Sequence, residues 1–345
     1  SYPTVSAAKR VARDAGTTNY SGVMTSVTDI RPTVDPIPLP RALEGISVDG
    51  FYGADSTPAS LDARAPAVCG VTVSSNDCEP GWIFVAIPGL AQHGVRFAHA
   101  AIEAGACLIV TDEVGRREAF ERGLCVPVVE VTNPRAVVPL LCRNIYSSPA
   151  TRVTTMAVTG TNGKTTTSYL MRAALASRFP HASLCGTVET SVGPISFEAV
   201  RTTAEAPVVA RFLAATDQYH CGAAVIELSA HALSLNRVDG IVFDVAAFTN
   251  LQHDHLDYYG DMETYFAAKA LLFTPEHSRR GVVCVDDEWG RRLADRATVP
   301  VTTVSALTHE AADWQVRNVT PDKSIGRTVF TLVSPDGSPH RVAMP

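Results

Sequence analysis

Residues 153–178 set a run of buried-strand character, VTTMAVTG, directly before TNG and the helix-forming stretch KTTTSYLMRAALASR. Few folds accept that order. A strand, a glycine-punctuated loop and a helix N-terminus together form the setting in which a phosphate-binding loop works. Glycines let backbone N–H groups curl around phosphate oxygens, and the helix start adds a partial positive charge. Gly160, Thr161, Asn162, Gly163, Lys164, Thr165 and Thr166 are therefore the candidate ATP-binding residues. Lys164 is placed to reach terminal phosphates, and the Thr165 hydroxyl can hold Mg²⁺. The full GxxxxGK[ST] spacing is not met, because its first glycine falls on Val158. The order strand, loop, GKT, helix carries the reading instead.

The same alternation extends along the chain and predicts an α/β protein. From 46 to 148, apolar runs (IFVAIPG, ACLIVTD, VPVVEV) alternate with helical stretches, the pattern of an α/β unit. SSPATR, residues 147–152, reads as a linker. After it, AAVIELS, VFDVAAFTN and GVVCVDD continue as strands of a parallel sheet with crossover helices. WQVRNVT and TVFTLVS, separated by PDKSIG and followed by SPDGSP, read as antiparallel strands appended to that sheet. The expected division is an irregular segment 1–45, an α/β unit 46–148 and an ATP-binding unit 149–345.

Composition removes several function classes. Acidic residues number 35 against 29 basic ones, with no block of like charge, so a nucleic-acid partner is disfavoured. No apolar run reaches the roughly 18 residues of a membrane helix, and the N-terminus lacks the apolar region of a signal peptide. The expectation is a cytoplasmic protein without a nucleic-acid or membrane partner. The eight cysteines lie without CxxC pairs or metal spacing, which predicts reduced, mostly buried thiols. Only four lysines occur, at 9, 164, 269 and 323, so a lysine inside an apolar motif invites a chemical reason.

Glu227 ends a predicted strand at the edge where open α/β sheets bind ligands, and a carboxylate there suits Mg²⁺. The next strand leads to LQHDHLDYYG, which presents Asn250, His253, Asp254, His255 and Asp257 at the same edge. A zinc hydrolase is disfavoured because no HExxH or comparable ligand set appears. Lys269 sits in METYFAAKALLF, residues 262–273. It is either a snorkelling surface lysine or a site-facing one whose pKa is lowered by desolvation.

GTNGKTTT (160–167), ELSAHALSLNRVDG (227–240), TNLQHDHLDYYGDMETYFAAK (249–269) and VDDEWGRRLA (285–294) together resemble the Mur ligase family, and within it the tripeptide-forming branch. CEPGWIFVAIPG (78–89) and GVRFAHAAIEAGA (94–106) are similar to the UDP-binding domain of that branch. The resemblance implies an ADP-forming ligase that adds a diamino acid to UDP-MurNAc-L-Ala-D-Glu in peptidoglycan synthesis, with ATP and Mg²⁺ as cofactors. Thr165 and Glu227 would hold one metal ion, and Glu227 and His255 a second. Lys164, Glu227, His255 and Lys269 would be catalytic, Lys269 as a carbamate formed with CO₂. Asn250 would join the ATP site. Ser75 would touch the uridine end, while Thr202, Thr203, Ser229 and Arg237 would hold the peptide end.

Departures from the family pattern concentrate on the substrate side: Ser74-Ser75-Asn76, Thr202-Thr203-Ala204, Ser229-Ala230-His231 and His253-Asp254-His255, with Cys284 at the base-contact position. The family's C-terminal domain, which supplies the amine pocket, is expected to fall outside this chain. Two rivals follow. One is a ligase of the same superfamily with another acid and amine, which a screen of UDP-peptides separates. The other is a non-catalytic nucleotide- or UDP-precursor-binding protein, which has little need for the whole set of Lys164, Thr165, Glu227, His255 and Lys269.

Overall fold

The computed structural model describes residues 30–62, 65–89, 91–193, 195–199, 202–307, 312–322 and 326–344. Lys9, Lys323 and residues 1–29 of the N-terminal segment lie outside them. The described part of that segment is ordered secondary structure in part. It carries β1 (Ile37–Pro38), which pairs with β3 (Ala67–Val68), and a helical turn Leu39–Ala42 whose Leu39 and Ala42 are buried.

A first sheet holds β2 (Gly50–Tyr52), β4 (Gly70–Thr72), β5 (Trp82–Val85), β6 (Ala106–Thr111) and β7 (Val128–Glu130), in the order β2-β7-β6-β5-β4. All neighbours are parallel except β2 with β7. Its inner strands are apolar on both faces, as a parallel sheet covered by helices requires. Gly70 pairs with Trp82, and a Cβ on Gly70 would come within 2.4 Å of the indole. The missing side chain makes the room that this large ring fills.

The second sheet has eleven strands. They are β8 (Thr154–Thr159), β9 (Ser183–Cys185), β10 (Glu189–Val192), β11 (Ile195–Glu198), β12 (Ala223–Glu227), β13 (Val245–Phe248), β14 (Gly281–Cys284), β15 (Val301–Ser305), β16 (Trp314–Asp322), β17 (Arg327–Val333) and β18 (Pro339–Met344). The order is β11-β10-β9-β12-β8-β13-β14-β15-β16-β17-β18. Strands from β9 through β12, β8, β13, β14 and β15 to β16 run parallel, and β17 and β18 add antiparallel ladders as the turn-rich sequence predicts. At the opposite edge, β9, β10 and β11 form an antiparallel meander that the sequence patterning leaves unassigned.

The register places the site. Glu227 at the end of β12 pairs with Val158 of β8, and Phe248 at the end of β13 pairs with Thr159. Both neighbours thus end level with the strand that feeds the phosphate loop. From β8 the chain crosses through the helix Lys164–Leu175 to β9, on the β12 side, whereas β12 is followed by β13 on the other side of β8, and this change of direction opens a crevice at the carboxyl ends.

One helix belongs to both units. Ala206–Gln218 is buried from Ala206 through Thr216, with Ala206, Ala210 and Ala214 packed into the core of the first sheet. Val209, Phe212, Leu213 and Ala215 pack into the core of the second. A helix buried all round has lost its solvent face because two cores share it. Four of the eight cysteines are buried, fewer than their apolar contexts suggest, since Cys107 and Cys284 remain partly accessible.

Gly70→Ala should destabilise the chain by about 1–3 kcal/mol through overpacking against the Trp82 ring. Urea unfolding followed by tryptophan fluorescence would measure it, and an unchanged midpoint would show that the ring has space to move.

Candidate active site

The phosphate loop is a short bridge from β8 to the helix Lys164–Leu175. Gly160 and Gly163 hold φ of 148° and 84°, backbone that favours glycine. At Gly160 space is equally restrictive, since a Cβ would fall 1.9 Å from Thr249 Oγ1. The segment after β13 grips the loop from outside. Asn162 N donates to Asn250 Oδ1 (3.0 Å), Thr249 Oγ1 donates to Asn162 O (2.7 Å), and Asn162 Nδ2 donates to Gln252 Oε1 (2.8 Å). Asn250 also returns a bond from Nδ2 to Asn162 O (3.1 Å). Both ends of its amide therefore help to hold the loop.

Glu227 is completely buried and accepts three hydroxyl hydrogen bonds. Thr165 Oγ1 and Thr187 Oγ1 each donate to Oε2 at 3.0 Å, and Ser168 Oγ donates to Oε1 at 3.0 Å. Ser168 lies one helical turn beyond Thr165, on the same face. Thr187 arrives from the turn between β9 and β10. Neighbouring Gly186 packs against the carboxylate so closely that a Cβ there would sit 2.2 Å from Oε1. An all-oxygen set of hydroxyls and a carboxylate beside a phosphate loop suits Mg²⁺, which takes one or two carboxylates and leaves other positions to phosphate and water.

Lys164 and Lys269 converge on one peptide oxygen. Lys164 Nζ donates to Gly160 O (3.0 Å) and Thr161 O (2.9 Å), folding back on its own loop. Lys269 Nζ, from the helix Met262–Ala270, donates to Gly160 O at 2.9 Å and lies 4.6 Å from the Tyr265 ring centroid. Lys269 is buried, which resolves the two readings of this residue in favour of the site-facing one. Desolvation, reinforced by the charge of Lys164, brings its pKa down from 10.5 to about 7, against the opposing pull of Asp254.

His255 stands apart from the partners of Glu227. It occupies left-handed backbone (φ 52°), and its ring meets His231 edge-on at 5.1 Å and Tyr265 at 6.2 Å. His231 in turn packs on Tyr258 at 4.4 Å and Tyr259 at 5.3 Å. Burial first, then the neighbouring His255 and Arg237 charges, lowers the His231 pKa.

Candidate substrate-side residues form their own cluster. Thr203 Oγ1 donates to Glu227 O (2.8 Å) and accepts from Ser229 N (3.1 Å), while Arg237 Nη1 donates to Thr203 O (3.1 Å) and Nη2 pairs with Glu205 Oε1 (2.8 Å). Ser229 Oγ caps the helix Ala230–Ser234 by accepting from Ala232 N at 3.2 Å. Thr203 and Ser229 thus build the wall that Arg237 leans on. Thr202 reaches Thr187 Oγ1 at 3.1 Å. Ser75 begins a 3-10 turn, Ser75–Asp77, in the first sheet unit.

The family model of the Mur ligase middle domain matches residues 158–345. This chain belongs to the Mur ligase family. A 2,6-diaminopimelate-adding UDP-N-acetylmuramoyl-L-alanyl-D-glutamate ligase of Streptomyces coelicolor is 41% identical over 286 residues, covering 82% of this chain and 55% of that protein. A UDP-N-acetylmuramyl-tripeptide synthetase of Leifsonia xyli is 40% identical over 91% of this chain and 58% of its own length. A solved diaminopimelate-adding ligase superposes with a TM-score of 0.68 at 25% identity, covering 90% of this chain and 59% of its own. The chain therefore spans a little over half the length of these Mur ligase relatives. Ser168, Thr187, Gly186 and Tyr265 are the site residues that motif reading missed. Ser168, three positions beyond Thr165 on one helix, and Tyr265, inside the 249–269 motif, carry a sequence signal, whereas Gly186 and Thr187 carry none.

The depressed pKa of Lys269 has a stability consequence. The unfolded chain keeps this proton to about 10.5, whereas the folded chain releases it near 7, so stability should rise with pH across that window. Lys269→Met should lose that component of the rise. Urea midpoints across the window in CO₂-free buffer test it, and identical slopes for both proteins would show that the amine is not desolvated.

Proposed function

We propose that the full-length protein is an ATP-dependent ligase that joins a diamino acid to the D-glutamyl carboxylate of UDP-MurNAc-L-Ala-D-Glu through an acyl phosphate. The observation that most supports it is the meeting of a buried carboxylate, Glu227, and a buried low-pKa amine, Lys269, at one phosphate loop. A binding protein gains little from either group. The names of the relatives, which specify a UDP-linked acid and 2,6-diaminopimelate, favour the substrate pair.

In this reading Thr165 and Glu227 would hold one Mg²⁺, and Glu227 with His255 a second. The ion supplies neutralisation of phosphate charge when bound. Lys164 leaves its carbonyl partners on the loop for the terminal phosphates, where it stabilises charge spread over the transferred group. Lys269 as the neutral amine adds through its nitrogen to the carbon of CO₂, a C=O π pair moving onto oxygen, and gives up one N–H proton to solvent to become an anionic carbamate. Its nitrogen keeps one N–H, enough to retain the bond to Gly160 O. Arg237, held by Thr203 and Glu205, faces the carboxylate-bearing end of the acceptor, and Ser75 the uridine end. Reaction in the cytoplasm by a monomer completes the proposal. Among the described residues no helix is long and apolar enough to cross a membrane.

Lys164→Ala in the full-length protein should lower tripeptide formation by at least about a hundredfold while leaving the fold intact, because it removes charge stabilisation and no core contact. Mass spectrometry of the UDP-peptide product, with each common diamino acid supplied in turn, reads out both the effect and the amine. Turnover equal to wild type would remove the phosphate loop from the mechanism.

A further inference from the structure

A second buried charge cluster lies where the two sheet units meet. Arg211, midway along the helix Ala206–Gln218, is fully buried, and its Nη2 donates to Asp77 Oδ2 at 2.8 Å. Its guanidinium carbon stands 4.9 Å from the Trp82 ring centroid. Asp77 closes the Ser75–Asp77 turn, is itself buried, and also accepts from Thr72 Oγ1 (3.1 Å) and Arg31 Nη2 (2.9 Å). Arg31 lies 5.0 Å from the same indole and pairs with Glu79.

This arrangement is a poor way to gain stability. An apolar pair of similar volume is often as stable as a buried ion pair or more so. Arg211 Nε and Nη1 moreover have no hydrogen-bond partner among the described residues, a cost added to burial. What a buried ion pair supplies well is a single permitted arrangement of the elements that carry it. Here those elements are the turn that begins at Ser75 and the helix that follows Thr203 and Glu205. The N-terminal end of the helix is anchored to the Glu227 edge through the bonds of Thr203, and through the Arg237–Glu205 pair. Arg211 lies five residues beyond Ala206, about 7.5 Å along a rigid rod. One helix thus touches the peptide-side cluster with its start and the Ser75 turn with its middle.

We propose that Arg211 is a positioning residue: by pinning the Ser75–Asp77 turn to the helix Ala206–Gln218, it fixes the span between that turn and the Thr203–Arg237 cluster across which an extended UDP-linked acid lies. The proposal rests on the ligase reading. It adds that selection of a long acceptor depends on a residue that touches neither nucleotide nor acceptor. Misplacement of one end of the span should weaken the acceptor, which bridges both units, and spare ATP, which the phosphate loop holds within one.

The test uses the full-length protein. Arg211→Met should raise KM for UDP-MurNAc-dipeptide by about tenfold or more, with KM for ATP and kcat within about twofold of wild type. Asp77→Asn/Arg211→Met removes both charges of the buried pair while Arg31 keeps Glu79, so it should fold even where the single variant does not, and should show the same split. An unchanged KM for the UDP-dipeptide in either folded variant overturns the proposal. So does an equal loss toward ATP and acceptor, the mark of general damage. A calorimetric arm is independent of the acceptor. Wild type should unfold in one transition that MgATP raises, whereas the double variant should split into two with only one raised. A single MgATP-shifted transition in the double variant contradicts the clamp. Wild type that makes no UDP-tripeptide sinks the ligase reading instead, and leaves the clamp to the calorimetric result.

Discussion

Two ammonium groups on one peptide oxygen form an arrangement that burial makes costly, and the site is organised around relieving it. Lys164 and Lys269 both donate to Gly160 O, and Lys269 is almost entirely shielded from water. Repulsion at this distance in a low-dielectric setting is far stronger than in solvent. Phosphate can draw Lys164 away, and loss of a proton can neutralise Lys269. In the proposed mechanism both reliefs are productive, since the first engages the transferred phosphoryl group and the second creates the amine that CO₂ modifies. The geometry of the loop depends on Gly160 being glycine, because any side chain would collide with Thr249.

The sheet supplies the rigidity that this crowding needs. With β12 and β13 flanking β8 in parallel register, Glu227 and the Thr249–Asn250 segment reach the loop from opposite sides without a flexible connection. Glu227 then holds the helix start through Thr165 and Ser168 and the far edge through Thr187. The shared helix Ala206–Gln218 carries the same order into the first unit through its alanine face. Site and interface are therefore parts of one packed body.

How much of this was legible in the sequence follows from how local each feature is. The phosphate loop was readable because strand, glycines, lysine and helix are contiguous, and Glu227 because a strand end marks the ligand edge of an α/β sheet. Lys269 stayed ambiguous, since the surrounding METYFAAKALLF has no polar face to say which way lysine points. Packing decided it, with Tyr265, Phe266, Ala268 and Lys269 all buried. Thr187, Gly186 and the β9–β11 meander left no motif, because their roles exist only once distant strands pair. The Arg211–Asp77 contact joins residues 134 positions apart, and nothing local distinguishes that arginine from a surface one. Asn250, Thr203 and Ser229 carry the family resemblance, and their hydrogen bonds also brace neighbouring site elements, which the sequence alone does not show.

The claim on which the rest depends is that Lys269 is a neutral, CO₂-reactive amine at the phosphate loop. Carbon-13 NMR of the full-length protein in ¹³C-bicarbonate near neutral pH addresses it without relying on turnover. The account predicts one protein-bound carbamate resonance that is absent from Lys269→Arg, whose guanidinium stays protonated and cannot react. An active enzyme with no such resonance at saturating bicarbonate, or one whose resonance survives the substitution, would contradict it.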